Sequence, residues 1–189
     1  MGRAKRIWSP EHFHHVTSRG NWRDYLFRGN RDFMYFLRLL SYIHRNHAIE
    51  ITSYCLMSNH YHLLLRSKEA SLSSIMSRIN KSYSDYYNYR YKVTGHLFEK
   101  RFFSKPIYDD LGIAEVSRYI HLNPLEASIV EDPQDYPWSS YYFFHNSSSS
   151  SPPFLNFQPL LNFFPGQTEE QRKMEYHNWV QHKLKNPYR

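Results

Sequence analysis

Residues 49 to 65 constrain the fold of this chain more tightly than any other stretch. Ile49 to Met57 is β-branched and aromatic, Tyr61 to Leu65 is continuously apolar, and Ser58-Asn59 between them has turn chemistry. The segment therefore reads as two paired strands. Side chains at i and i+2 leave a strand on the same side, so His60 and His62 share one face of the sheet and Tyr61 points to the other. Two imidazoles on one rigid strand make half of a divalent-cation site. With 12 histidines in 189 residues, roughly one His-x-His pair is expected by chance, so the pair gains meaning only from its surroundings.

The flanking elements set the architecture. His12 to Ser18 has strand character and is closed by Arg19-Gly20-Asn21; Asp32 to Arg45 has helical periodicity through Phe33, Phe36, Leu37 and Leu40. Ser71 to Tyr91 reads as a second long helix, Gly95 to Phe98 as a turn, and Ser104 to Tyr108 as a short strand. The order β-α-β-β-α-β followed by a helix is the α+β, ferredoxin-like split βαβ pattern. It implies an antiparallel sheet with helices packed on one face, leaving the other open to a ligand. Asn146 to Pro153 reads NSSSSSPP, the composition of a linker or mobile loop. The chain then divides into a domain at 1–145, the linker at 146–153 and a C-terminal segment at 154–189. In that last segment Thr168 and Gln171 match a capping box. Met174, Tyr176, Trp179, Val180 and Leu184 give the final helix an apolar side expected to dock on the domain.

The sequence RYIHLNP at 118–124 lies in the helix after the fourth strand, with Asp109 or Asp110 as its candidate cap. Tyr119 and Asn123 are four residues apart and share a face. His121 lies about 200° round the helix from Tyr119 and is expected to stay away from that pair. Pro124 disfavours helical geometry at Asn123, which predicts that Tyr119 sits in the last turn or at a kink.

Charge and aromatic content narrow the class of partner. The formal net charge is +7 and the pI about 9.4, which favours a polyanion. The cations are scattered, so a binding footprint has to be assembled by folding. Seventeen tyrosines exceed what a core of this size needs, and tyrosine suits single-stranded nucleic acid because it offers both a stacking face and a hydroxyl. Tyr83, Tyr87 and Tyr91 form a helical stripe flanked by Tyr86, either core or a base-stacking platform, with core the plainer reading. The lone Cys55 excludes an internal disulfide framework and fits a reducing compartment. No segment approaches the roughly 18 apolar residues needed to span a bilayer, and a soluble, cytoplasmic protein is expected.

Five segments together carry a resemblance. HHVTSRGN at 14–21, YCLMSNHYHLLL at 54–65, GHLFEKRFFSKPI at 95–107, RYIHLNPLEASIV at 118–130 and YPWSSY at 136–141 make the chain similar to REP-associated tyrosine transposases, in their order along the chain. These belong to the single-tyrosine HUH transposases, in which two histidines flank one bulky apolar residue. The resemblance implies that His60 and His62 bind Mg²⁺ or Mn²⁺, that Asn123 is a third ligand, and that Tyr119 is the nucleophile. It further implies a prokaryotic protein bound to the nucleoid when on DNA. The substrate would be single-stranded DNA with REP-type hairpins, cleaved through a 5′-phosphotyrosine by a monomer supplying the tyrosine in cis; relatives with a swapped tyrosine helix are homodimers. The sequence departs from the pattern at Tyr61, where an aliphatic residue is usual, and at Ser58, where proline is common. Neither change removes a catalytic group.

Each assignment has a plainer counterpart. His60 and His62 could be sheet histidines bonded to polar neighbours, Tyr119 a packed helix tyrosine, and Asn123 the cap of a helix end. Arg3, Lys5, Arg6, Arg19, Lys81 and Arg101 are the cations assigned to DNA, against ordinary solvated charge. At the level of function, the alternatives to strand transfer are a catalytically silent hairpin-binding protein of the same fold and a metal-dependent nuclease without a covalent step.

Overall fold

A computed structural model describes residues 8–145 and 150–185. Arg3, Lys5 and Arg6, and the 146–149 part of the Ser-rich stretch, lie outside the described residues. The elements run β1 (Phe13–Arg19), a 3-10 turn (Asn21–Arg23), α1 (Asn30–Asn46), β2 (Ile49–Met57), β3 (His60–Ser67), α2 (Leu72–Tyr91), β4 (Phe103–Ile107) and α3 (Asp110–Glu126). A second 3-10 turn (Pro133–Asp135) and the helices α4 (Tyr142–His145), α5 (Gln158–Leu161) and α6 (Glu169–Lys185) complete the chain. The strands form one antiparallel sheet in the order β2-β3-β1-β4, the ferredoxin-like arrangement.

The pleat separates two faces. Tyr61 on β3 faces α1 and α2, its ring 4.7 Å from Phe36 and its hydroxyl donating to Asn80 Oδ1 at 2.5 Å. The expected tyrosine stripe is part of this core. Tyr83 and Tyr87 are buried and donate to the carbonyls of Leu26 (2.6 Å) and Tyr25 (2.9 Å), while Tyr86 and Tyr91 donate to the buried carboxylate of Asp32. The caps expected at Asp109 and Thr168 are formed, Asp109 accepting from Gly112 N and Thr168 making the reciprocal capping box with Gln171, and Ser71 Oγ caps α2 by accepting from Ser74 N.

Two expectations are corrected. The second face of the sheet is not left wholly open, because α3 packs across it onto β2 and β3, with Ser53 Oγ donating to Ser117 Oγ at 2.7 Å. Ser53, Cys55 and Met57 of β2 point to this side and are buried there, a surface too apolar to leave in water. The β1 and β4 part of the same face stays accessible. Nor does α3 end at Asn123 with Tyr119 in its last turn; it continues to Glu126, with Asn123 and Pro124 buried inside it. Proline removes one backbone donor near the helix end, and burial of this turn outweighs that loss. Ala127 caps the helix, and the chain turns away at Ser128, which adopts φ 54.

The C-terminal segment docks on the domain and covers its exposed edge. Leu56 N donates to Trp138 O (2.9 Å) and Ser140 N to Tyr54 O (3.0 Å), while Asn156 N donates to Ile51 O (2.8 Å), so the outer edge of β2 is capped by chain from beyond α3. Tyr176 and Val180 are fully buried, whereas Met174, expected on the docking side, is exposed. His121 is the bolt of this contact. Its Nδ1 lies 2.6 Å from the Tyr176 hydroxyl and its Nε2 2.7 Å from Ser140 Oγ, on the side of α3 away from Tyr119.

That bolt sets a pH dependence. Burial pushes His121 down to about 3, below the value of about 6.5 expected in the unfolded chain. Protons therefore bind the unfolded chain preferentially between those two values, and the stability that neutral His121 supports is intact above about pH 6.5 and lost as pH falls toward 3. The loss is at most about 1.4 kcal/mol per pH unit for this one group. Thermal melts from pH 7.5 to 5 should show a falling Tm. His121→Gln should cost about 1–3 kcal/mol at pH 7.5, and its Tm should fall less steeply on acidification.

Candidate active site

The sheet register brings the imidazoles together. Thr17 of β1 pairs with His62 of β3, which on its other side pairs with Cys55 of β2. His15 and Thr17 therefore stand on the same face as His60 and His62. His62 Nδ1 lies 2.9 Å from His15 Nε2 and 3.2 Å from Thr17 Oγ1, and the His60 and His62 ring centroids are 5.0 Å apart. On the turn, His60 Nδ1–H donates to Asn59 Oδ1 at 2.7 Å, a direction consistent with Asn59 Nδ2 donating in turn to Arg23 O. His60 Nε2 is thus left with a lone pair.

Helix α3 brings Tyr119 and Asn123 over this cluster. The Tyr119 ring sits 5.5 Å from His62 and 5.7 Å from His15, edge-on to both. It is 43% exposed, and no hydrogen bond to its hydroxyl is formed among the described residues. Asn123 Nδ2 donates back to Tyr119 O at 2.7 Å, and its carboxamide interacts with both the His60 and His62 rings. With Nδ2 engaged by Tyr119 O, the amide oxygen is the atom of Asn123 left to accept or to ligate.

Burial keeps all three imidazoles neutral. His60 is pushed down to about 4, first by desolvation and then by the Arg19 charge, with Asn123 acting in the opposite sense. His15 is also pushed down to about 4, by desolvation and then Lys105. His62 falls well below its ordinary value through burial, then the neighbouring His60 and His15. Neutral imidazole is the state that binds metal. His62 Nε2 is buried without a hydrogen-bond partner among the described residues, and such an orphan calls for an explanation. Among the described residues no group of three His, Cys, Asp or Glu is arranged to hold a metal ion. A cation here would rest on His60, His62 and the Asn123 amide oxygen, a set of two nitrogens and one oxygen that suits a divalent ion completed by water or phosphate.

Of the described assigned cations only Arg19 stands beside the histidines: it is exposed at the end of β1, pairs with His60 across the β1/β3 register, and lines a surface hollow of about 640 Å³ with Trp22, Arg23 and Lys100. Lys81 and Arg101 meet, with Lys100 and Phe98, in a separate hollow of about 460 Å³ beside α2, and Lys81 is already paired with Asp85 at 2.7 Å. Arg101 also borders Thr17 and Arg19, so it joins the two regions.

The model of one protein family, described as IS200-like transposase, matches residues 9–123. The chain belongs to the IS200-like transposase family. As a member it is an enzyme of the DNA-cleaving class, and the matched region takes in all four strands and the Tyr119 helix as far as Asn123. Among solved structures, a REP-associated tyrosine transposase bound to a REP hairpin matches with a TM-score of 0.65 and 16% identity, over 82% of this chain and 92% of the other. That likeness is one of fold. No curated protein matches the chain.

Several residues of this transposase's site escaped the sequence reading. Thr17 and the bond from His15 to His62 depend on the β1/β3 register, which no local pattern encodes. Asn59 was read only as a turn residue, although it holds His60. Phe103, opposite Thr17 and 56% exposed on the open part of the face, was not singled out because β4 is short and irregularly patterned. Among the described residues no helix is long and apolar enough to cross a membrane.

Proposed function

We propose that this chain cleaves and rejoins single-stranded DNA beside a short hairpin, with Tyr119 as nucleophile and Mg²⁺ or Mn²⁺ held by His60, His62 and Asn123. The carrying observation is the meeting of an exposed phenol, two neutral histidines and the Asn123 carboxamide where α3 crosses the sheet. The hairpin substrate is supported by the REP hairpin bound to the solved transposase of the same fold.

In this reading His15 and Thr17 orient His62 through its Nδ1, and Asn59 orients His60 through its Nδ1, which leaves the two Nε2 atoms for a cation. The bound cation would withdraw negative charge from a non-bridging phosphate oxygen. Tyr119 Oη then forms a bond to phosphorus as the bond to the departing 3′-oxygen breaks. The phenol proton is lost, the 3′-oxygen leaves as a hydroxyl, and a 5′-phosphotyrosine remains. One phosphodiester replaces another, so attack by a 3′-hydroxyl reverses the step without an external energy source. Because Tyr119 and His62 of one chain are already in contact, the tyrosine acts in cis, and active protein should elute as a monomer. Activity regained on mixing Tyr119→Phe with His62→Ala would overturn the cis assignment.

The reading is tested with end-labelled single strands bearing REP-like hairpins, alongside hairpin-free strands and linear duplex. Metal-dependent cleavage restricted to one side of the hairpin is expected. Binding without cleavage on every hairpin would instead favour a silent binder.

A further inference from the structure

The turn after β1 holds a tryptophan out in solvent. Trp22 is 91% exposed, and both it and Arg23 adopt left-handed backbone, at φ 54 and φ 61. Each such residue is disfavoured outside glycine, and such backbone persists only where its surroundings hold it. Here they do. Gly20 N donates to Asn59 O (2.9 Å), Asn21 N to Leu97 O (2.8 Å), Arg23 N to Gly20 O (3.1 Å) and Asp24 N to Asn21 O (2.9 Å). A Cβ on Gly20 would meet Asp24 O at 2.1 Å, so the tight return requires glycine.

This turn is tied to the active site. Asn59 Nδ2 donates to Arg23 O at 3.3 Å, while Asn59 Oδ1 accepts from His60. The Trp22 turn and His60 therefore share one side chain. Around the indole the hollow of about 640 Å³ is lined by Arg19, Arg23 and Lys100, with Glu99 the one acidic member. An aromatic face beside an excess of cations is complementary to an unpaired nucleotide, with the base on the ring and the phosphate on the charges.

We propose that Trp22 is a stacking platform for one unpaired nucleobase of the strand flanking the hairpin, with Arg19 and Arg23 against its phosphates. The inference rests on the proposed DNA substrate and adds the residue that grips the strand next to the cleavage site. Stacking is sequence-tolerant, so Trp22 would fix the position of the strand and leave base selection to other contacts.

The test is equilibrium binding of the full chain, without divalent metal, to a REP-like hairpin with a single-stranded flank and to the same hairpin without it. For Trp22→Ala the expected result is a roughly 5- to 150-fold loss of affinity for the flanked hairpin and little change for the bare one, with Trp22→Phe recovering much of the loss. Quenching of indole fluorescence by the flanked hairpin should be smaller in Trp22→Phe than in the wild type. Equal losses on both DNAs, or none on either, would overturn the platform while leaving hairpin processing intact. A wild-type chain that binds neither DNA would overturn the proposed substrate, and the platform with it.

Discussion

Tyr119→Phe is expected to abolish both strand cleavage and any covalent protein–DNA product, with the rate falling by about 10³-fold or more. Only one oxygen is removed. The ring of the variant still fits edge-on against His62 and His15, and the helix it stands on is anchored by residues on its other sides, among them Ser117, Ile120 and His121. Folding and hairpin binding should therefore be near wild type, measured by thermal melting and gel shift. Since the Tyr119 hydroxyl makes no hydrogen bond among the described residues, its removal leaves no buried partner unsatisfied. A loss of activity would then belong to the chemistry. Cleavage that persists in the variant would make the chain a metal-dependent nuclease in which water attacks.

His62→Ala should be as damaging by a different route. His62 is central: it lies between His60, His15 and Tyr119, and its buried Nε2 is the orphan that a cation would satisfy. Its removal is expected to weaken Mn²⁺ binding by at least about 100-fold and cleavage by about 10³-fold, while His15→Gln, which reaches the cation through His62 Nδ1, should cost about 10-fold in Mn²⁺ affinity. Calorimetry or Mn²⁺ resonance on the DNA-free protein reads the affinity directly. If both variants bind Mn²⁺ as the wild type does, the cation does not rest on these histidines.

How much of this was legible in the sequence depends on the range of the signal. The β2/β3 pair, the shared face of His60 and His62, and the caps at Asp109 and Thr168 are local, set by alternation, turn chemistry and hydrogen bonds spanning three residues. The side of the sheet taken by α3 was not legible, because Ile113, Ala114, Ile120 and Leu122 are buried around much of that helix and its pattern names no single face. Persistence of α3 through Pro124 was misjudged for a related reason: a local preference was overridden by the burial of Asn123 and Pro124. Trp22 gave no signal in its own surroundings, since an exposed tryptophan and a packed one look alike until the φ values and the Asn59 link to His60 are seen.

The measurement closest to the central claim is to trap the wild-type chain on a hairpin-bearing single strand with Mg²⁺ or Mn²⁺, digest the product, and map the nucleotide-linked peptide by mass spectrometry. The account predicts a metal-dependent adduct joining the 5′-phosphate to Tyr119. Attachment at another residue, or cleaved DNA carrying a free 5′-phosphate with no linked peptide, would contradict it.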